Sequence, residues 1–231
     1  TTDTRPKGAS LQFEHNGKWV TLTGISKGAG MIKPNMATML AYVATDLSVD
    51  QLLLQQLITT AANKSFNRIT VDGDTSTNDS FILVATGQSS LNLSEYSGDL
   101  FDKFSSALNT LSAELAQAIV RDGEGATKFV TVNVEQALSQ QEALDVAYTI
   151  AHSPLVKTAL FACDPNWGRI LAAVGRAGVE NLVLDTLKIY LDDVCIVESG
   201  GRAPSYTEAA GQTVMDQDEI TITVNLQRGH C

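Results

Sequence analysis

The stretch Leu11-Gln12-Phe13-Glu14-His15-Asn16-Gly17-Lys18-Trp19-Val20-Thr21-Leu22 sets the direction of the fold. Residues alternate in character on both sides of Asn16-Gly17, and a period of two marks a half-buried strand. Asn and Gly both tolerate positive φ, as a two-residue hairpin turn requires. An antiparallel hairpin is therefore expected here. A second is read in residues 187–191 and 194–197, about Asp192-Asp193. Residues 128–134 and 219–226 alternate as single strands, residues 39–45 form an apolar run of strand length, and residues 68–71 read as a short strand. Residues 81–86 fit either a strand or a buried helix.

Helical periodicity lies between these runs. Phe101, Phe104, Leu108, Leu111, Leu115 and Ile119 recur every three or four positions and draw one apolar stripe. Arg121 falls in its last turn and Gly123 offers a stop. Ser48 with Gln51 reads as a capping box for a helix reaching about Lys64. A helix is expected over 139–151, another from Ser153-Pro154, and a third from the turn Asp164-Pro165-Asn166-Trp167-Gly168-Arg169 to about 175–178. Strands and helices in these numbers predict an α/β fold of layered α+β type with mixed sheets. No linker or repeat divides the chain, so one compact unit is expected.

The chain has 231 residues, 26 acidic and 16 basic, for a formal net charge of −10. That balance argues against nucleic acid and anionic membranes as partners, since both attract basic patches. No apolar run approaches the roughly 18 residues of a membrane span. Cys163, Cys195 and Cys231 form no CxxC pair and fit a reducing, cytoplasmic setting. The N-terminus shows no basic or apolar leader, and both ends read as cut rather than finished. A fragment of a longer protein is expected.

The usual catalytic groups are sparse. His15, His152 and His230 belong to no HxH or HExxH arrangement, and no GxSxG elbow is present, although a dispersed triad needs none. No metal site is expected. Asp72, Asp74 and Asp79 suggest a calcium loop, but the spacing then wants Gly at 77 and Glu at 83, where Thr77 and Leu83 stand. A polar turn is the better reading. Gly123 to Lys128 lacks P-loop spacing.

The most unusual stretch is KGAGMIKPNMATML, residues 27–40. On composition alone it is a glycine-rich loop entering a buried strand, with Thr38 suited to β structure. Its chemical reading makes Thr38 a latent N-terminal nucleophile. The hydroxyl would attack the Ala37 carbonyl, shift the acyl group from nitrogen to oxygen, and be freed by hydrolysis. The new α-amine, with an ordinary pKa of roughly 7.7–8.0, would then act as base for its own hydroxyl. This chemistry needs no His, Cys, metal or cofactor.

Six segments in order, TTDT (1–4), KGAGMIKPNMATML (27–40), TVDGDTSTND (70–79), RDGEGATK (121–128), SPLVKTA (153–159) and DPNWGRI (164–170), resemble the ornithine acetyltransferases, or glutamate N-acetyltransferases, of arginine biosynthesis. The resemblance spans essentially the whole chain. It implies the self-processing ornithine acetyltransferase/aminopeptidase-like fold and a precursor cut at Ala37-Thr38. Residues 1–37 would end the α chain, and residues 38–231 would be a truncated β chain. Thr38 would carry the acetyl group from N2-acetylornithine to glutamate, with acetyl-CoA as a second donor in some members. Lys27, Glu124 and Thr1 would bind substrate, with Thr2 competing with Thr1 for that role. An α2β2 heterotetramer is implied. For Lys27, Glu124 and Thr1 alone, surface or strand-end roles would be the plainer reading.

Two parts of the family pattern are missing: an upstream Thr-Gly pair forming the oxyanion hole, and a C-terminal tail supplying an Asn and a Thr to the substrate site. Loss of one oxyanion donor typically costs ~10²–10³ in kcat, so residues 1–231 alone are expected to be weakly active or inactive. Two other classes remain: a self-processing amidohydrolase or aminopeptidase delivering the acyl group to water, and a non-catalytic fragment.

Overall fold

In a computed structural model, residues 2–33, 39–75 and 77–231 are described. The Asn16-Gly17 hairpin forms as its sequence requires. Strand β1 (Lys7–His15) pairs antiparallel with β2 (Lys18–Lys27), and the turn holds φ at 51° and 75°. β2 pairs antiparallel with β3 (Leu40–Thr45). After the two-residue β4 (Ser48–Val49) comes helix α1 (Gln51–Lys64). Next are β5 (Ser80–Ala85), parallel to β3, the short β6 (Asn92–Leu93), paired with β4, and the long helix α2 (Asp99–Arg121). The main sheet has the order β1-β2-β3-β5.

One face of this sheet buries Val20, Leu22, Ala41, Val43, Phe81 and Leu83, and α2 supplies Phe104, Leu108, Leu111, Leu115 and Ile119 to the same core. Each such side chain removed from water contributes roughly 1.5–3 kcal/mol. Gly24 lets helix and strand approach closely, because a Cβ there would stand 2.8 Å from Leu115 Cδ1 and 2.9 Å from Val43 Cγ2. Ser26 ties the layers by donating to the Leu115 carbonyl at 3.2 Å. The opposite face leaves Ile25, Tyr42, Ile82 and Val84 exposed.

The chain divides at Ala126/Thr127 into two compact units, where the sequence suggested one. The reason is that each half closes its own core. In the second unit, β7 (Phe129–Glu135) is followed by α3 (Gln140–Ala151), α4 (Pro154–Phe161) and α5 (Trp167–Gly175). Then come β8 (Lys188–Leu191), β9 (Val194–Glu198), β10 (Gly201–Arg202), α6 (Glu208–Met215) and β11 (Glu219–Asn225). The sheet order is β10-β9-β8-β11-β7, with β11 parallel to β7 and antiparallel to β8. Ile189, Leu191, Ile196, Ile222 and Val224 pack against Val146, Ile150, Val156 and Val174 of the helices.

Local details differ from the sequence reading in three places. Ser48 is drawn into strand pairing, its N–H bonding the Leu91 carbonyl, so Asp50 caps α1 instead by accepting from Leu52 N–H at 3.0 Å. Residues 68–71 form no strand; a 3-10 turn (Phe66–Arg68) ends there and Val71 N–H turns to the Ile32 carbonyl. Helix α6 carries no clear periodic signal. Its Gly211 sits where a Cβ would meet Tyr206 Oη at 2.5 Å and Pro165 Cβ at 2.8 Å, so packing selects a poor helix former.

Gly24→Ala should overpack the interface of α2 with the sheet and cost about 1–3 kcal/mol. Urea unfolding, compared at equal m-value, measures it.

Candidate active site

The register Lys27↔Leu40 and Leu40↔Ser80 places the end of β2 beside the starts of β3 and β5. The intervening segment is therefore returned to the point it left. Its flanks are anchored by two fully buried side chains, Ile32 and Met39. Backbone contacts fix nearly every residue between Lys27 and Ile32. Gly28 N–H donates to Asp3 Oδ1 at 2.8 Å. The Ala29 carbonyl accepts from Glu124 N–H at 2.8 Å. Met31 N–H and Ile32 N–H donate to the two oxygens of Asp72 at 2.5 and 3.1 Å. The Ile32 carbonyl accepts from Val71 N–H and the Thr70 hydroxyl at 2.7 and 3.0 Å. On the far side, Ser80 N–H donates to the Met39 carbonyl at 3.1 Å.

The polar run that looked like a calcium loop is thus a clamp. Both Asp72 oxygens are engaged by backbone N–H groups, with Asp74 N–H joining at 3.0 Å. Among the described residues, no group of three or more His, Cys, Asp or Glu is placed to hold a metal ion.

Behind the loop lies a buried ionic cluster. Lys7 Nζ meets Asp122 at 2.5 Å and Asp3 at 2.6 Å, and the Lys7 and Asp122 side chains are 1% and 3% exposed. Thr4 donates to Asp122 through both its hydroxyl and its N–H. Burial alone would lower the Lys7 pKa, but its hydrogen bonds to Asp122 and Asp3 outweigh that and raise it. The hydrogen bond from Lys7, then that from Thr4, holds the Asp122 carboxyl well below the usual range. The cluster joins the N-terminal segment to the end of α2, two residues before Glu124.

Of the residues singled out in the sequence, Lys27 and Glu124 come to the same end of the sheet. Both are exposed. The Glu124 carboxylate lies over Gly30, where a Cβ would stand 2.7 Å from Oε2. Thr2 is exposed beside the anchored Asp3. Thr1, Ala37 and Thr38 lie outside the described residues. Asp3, Lys7 and Asp122 were not separable as site-building groups in the sequence, since the contacts that tie Asp3 to Gly28 and Asp122 to Lys7 and Thr4 span 25 to 118 positions. Asp79 precedes β5 with both oxygens buried, and the Met39 N–H is turned toward its carboxylate. Its pKa is raised to about 6 by desolvation, with Met39 N–H and the Lys27 charge pulling the other way.

The DPNWGR motif falls in the second unit and is architectural. Asn166 caps α5 by accepting from Arg169 N–H at 3.1 Å, and the Arg169 guanidinium donates to the Leu155 carbonyl and Thr158 hydroxyl, each at 3.0 Å.

Fold and site together define an α/β protein with a glycine-rich, lysine-led loop clamped between two strands of a mixed sheet. The fold is similar to that in the crystal structure of the arginine biosynthesis bifunctional protein ArgJ from Bacillus halodurans. That chain superposes with a TM-score of 0.78 at 39% identity, covering 84% of this chain and 90% of the other. The match to the ArgJ family runs over residues 1–231, and the chain belongs to that family. It is 61% identical to the arginine biosynthesis bifunctional proteins ArgJ of Pseudomonas fluorescens and Pseudomonas syringae pv. tomato over its whole length. It spans 57% of the length of each of those relatives.

Lys7→Met leaves two buried carboxylates without their cation and should lower stability by about 3–5 kcal/mol, read from denaturant midpoints near neutral pH. Asp122 has a depressed folded pKa. Its contribution is therefore complete above its unfolded value of about 3.9 and is lost as pH falls through the lower, folded value. Midpoints should drop below about pH 4, and Asp122→Asn should flatten that part of the profile.

Proposed function

We propose that the protein of which this chain is part is an acetyltransferase that moves the acetyl group of N2-acetylornithine to glutamate in arginine biosynthesis. The observation that carries the reading is the clamped loop. A chain of the ArgJ family holds both flanks of residues 34–38 fast and gathers Lys27 and Glu124 at the same sheet end. Fixed flanks are what an intramolecular attack needs, since orientation removes much of its entropic barrier.

The Thr38 hydroxyl attacks the Ala37 carbonyl carbon, the Ala37–Thr38 C–N bond breaks, and an ester with a free α-amine results. Water hydrolyses the ester and leaves α and β chains, 1–37 ending the first and 38–231 lying in the second. In the first half-reaction the hydroxyl of Thr38 attacks the acetyl carbonyl of N2-acetylornithine. The α-amine takes the hydroxyl proton and passes it to the departing amine of ornithine. In the second, the neutral amine of glutamate attacks the acetyl carbon of acetyl-Thr38, the acyl C–O bond breaks, the α-amine carries a proton from the attacking nitrogen to the Thr38 oxygen, and N-acetylglutamate leaves. Lys27 is suited to a substrate carboxylate and Glu124 to the ornithine ammonium. Thr1, or its neighbour Thr2, is the further substrate-binding residue of this reading. No cofactor is required, and acetyl-CoA serves as an alternative acetyl donor.

The working assembly is an α2β2 heterotetramer of cleaved chains in the cytoplasm. Among the described residues no helix is long and apolar enough to cross a membrane.

Intact-mass measurement of the full-length protein tests the reading. Wild type should appear as two chains dividing at Ala37-Thr38, with the second heavier by one acetyl group after exposure to N2-acetylornithine. Thr38→Ala should remain one unlabelled chain. A wild-type protein that stays uncut would refute the mechanism, and release of acetate in place of N-acetylglutamate would move it to the hydrolases.

A further inference from the structure

Gly30 has no backbone reason to be a glycine. Its φ lies outside the left-handed region, so alanine could adopt the same conformation. Space is the reason instead. A Cβ at this position would stand 2.7 Å from Glu124 Oε2, and Glu124 Cβ and Cδ lie 3.8 and 3.9 Å from the same point. The Glu124 side chain is therefore laid along the bare Cα of Gly30, with its carboxylate over it.

The other end of Glu124 is fixed to the same loop, because its N–H donates to the Ala29 carbonyl at 2.8 Å. Gly123 before it is pinned as well. Its N–H reaches the Val120 carbonyl at 3.0 Å, and a Cβ there would stand 2.9 Å from that oxygen and 3.2 Å from the Val71 methyl groups. Backbone and side chain of Glu124 thus take their positions from consecutive residues, 29 and 30. The carboxylate is on an exposed residue, and the room above Gly30 sets where it lies. A methyl group at residue 30 would occupy the place of Oε2. The far end of a glutamate side chain can swing into another rotamer, so the fold would persist and the carboxylate would move.

We propose that Gly30 is the positioning residue for the Glu124 carboxylate and so a determinant of specificity for the acetyl donor. The inference rests on the reading that Glu124 meets the ornithine ammonium. N2-acetylornithine has its only ammonium at the end of its side chain, because the α-nitrogen is acetylated. Glutamate has a carboxylate at the corresponding end. A carboxylate held over Gly30 therefore binds the donor and has no attraction for the side chain of the acceptor. The empty space at residue 30 acts on one of the two half-reactions.

The test uses the full-length protein. In a reaction that passes through acetyl-Thr38, kcat/KM for each substrate reports its own half-reaction. Gly30→Ala should lower kcat/KM for N2-acetylornithine about tenfold or more, as loss of a hydrogen bond to a charged group does, and leave that for glutamate within about twofold. Self-cleavage and the urea midpoint should stay those of wild type. An equal fall for both substrates, a lowered midpoint or an uncut precursor would each mark a displaced loop and overturn the proposal. So would wild-type kinetics in Gly30→Ala beside an impaired Glu124→Gln. The double variant gives a second arm. In the Glu124→Gln background Gly30→Ala should have little further effect on the donor, since its action passes through the charged carboxylate, and additive losses overturn the proposal. Failure of the underlying reading is seen separately, as a Glu124→Gln enzyme that handles N2-acetylornithine like wild type, and the proposal falls with it.

Discussion

The Lys7 ammonium, buried behind the loop and shared by Asp3 and Asp122, is the constraint on which the rest of the site depends. One cation neutralises two carboxylates, and each carboxylate spends its remaining capacity on backbone that must be positioned. Asp3 receives Gly28 N–H and so sets where the glycine loop leaves β2. Asp122 receives Thr4 and so fixes the N-terminal segment against the end of α2. From there the chain has two residues in which to reach Glu124, whose N–H closes on Ala29. A buried ion pair adds little net stability over an apolar substitute, because desolvation offsets most of the attraction. Its value here is directional: charge-assisted bonds accept only certain geometries.

Asp72 repeats that economy with backbone donors. Its carboxylate accepts from the N–H groups of Met31 and Ile32, and in return it fixes them. Met31 adopts a φ of 58°, sparsely populated for a side chain of that size, and the paired bonds to Asp72 hold it there. Buried Ile32 and Met39 then act as posts on either side of residues 34–38. The second unit encloses a core of its own, and the motifs that mark it, Ser153-Pro154 and DPNWGR, are helix starts.

Much of the fold was legible in local pattern. The Asn16-Gly17 hairpin, the α2 stripe and the second hairpin all formed close to the expected positions, since alternation, helical period and turn chemistry act over a few residues. Legibility ended where a distant partner outbid a local preference. Ser48 gave up its capping role for strand pairing with residues near Leu91, and residues 68–71 gave up strand geometry to bond Ile32. α6 was hidden because Gly211 answers to Tyr206 and Pro165 rather than to its own helix. The division into two units was equally hidden, since no change in composition marks Ala126.

By itself the sequence determined the α/β class, the order of the principal elements, the acidic surface and membership of the ArgJ family through its ordered motifs. These depend on short-range periodicity and on the identity of particular residues, both of which are written along the chain. Only the tertiary structure decided that Lys7 would be a buried cation, that the Asp72 carboxylate would clamp the Met31 and Ile32 backbone, and that Asp79 would lie buried beside Met39. The physical reason is the same in each case. A carboxylate takes its role from the donors that surround it and from its access to water, and neither is known until residues far apart in the chain share one end of a sheet.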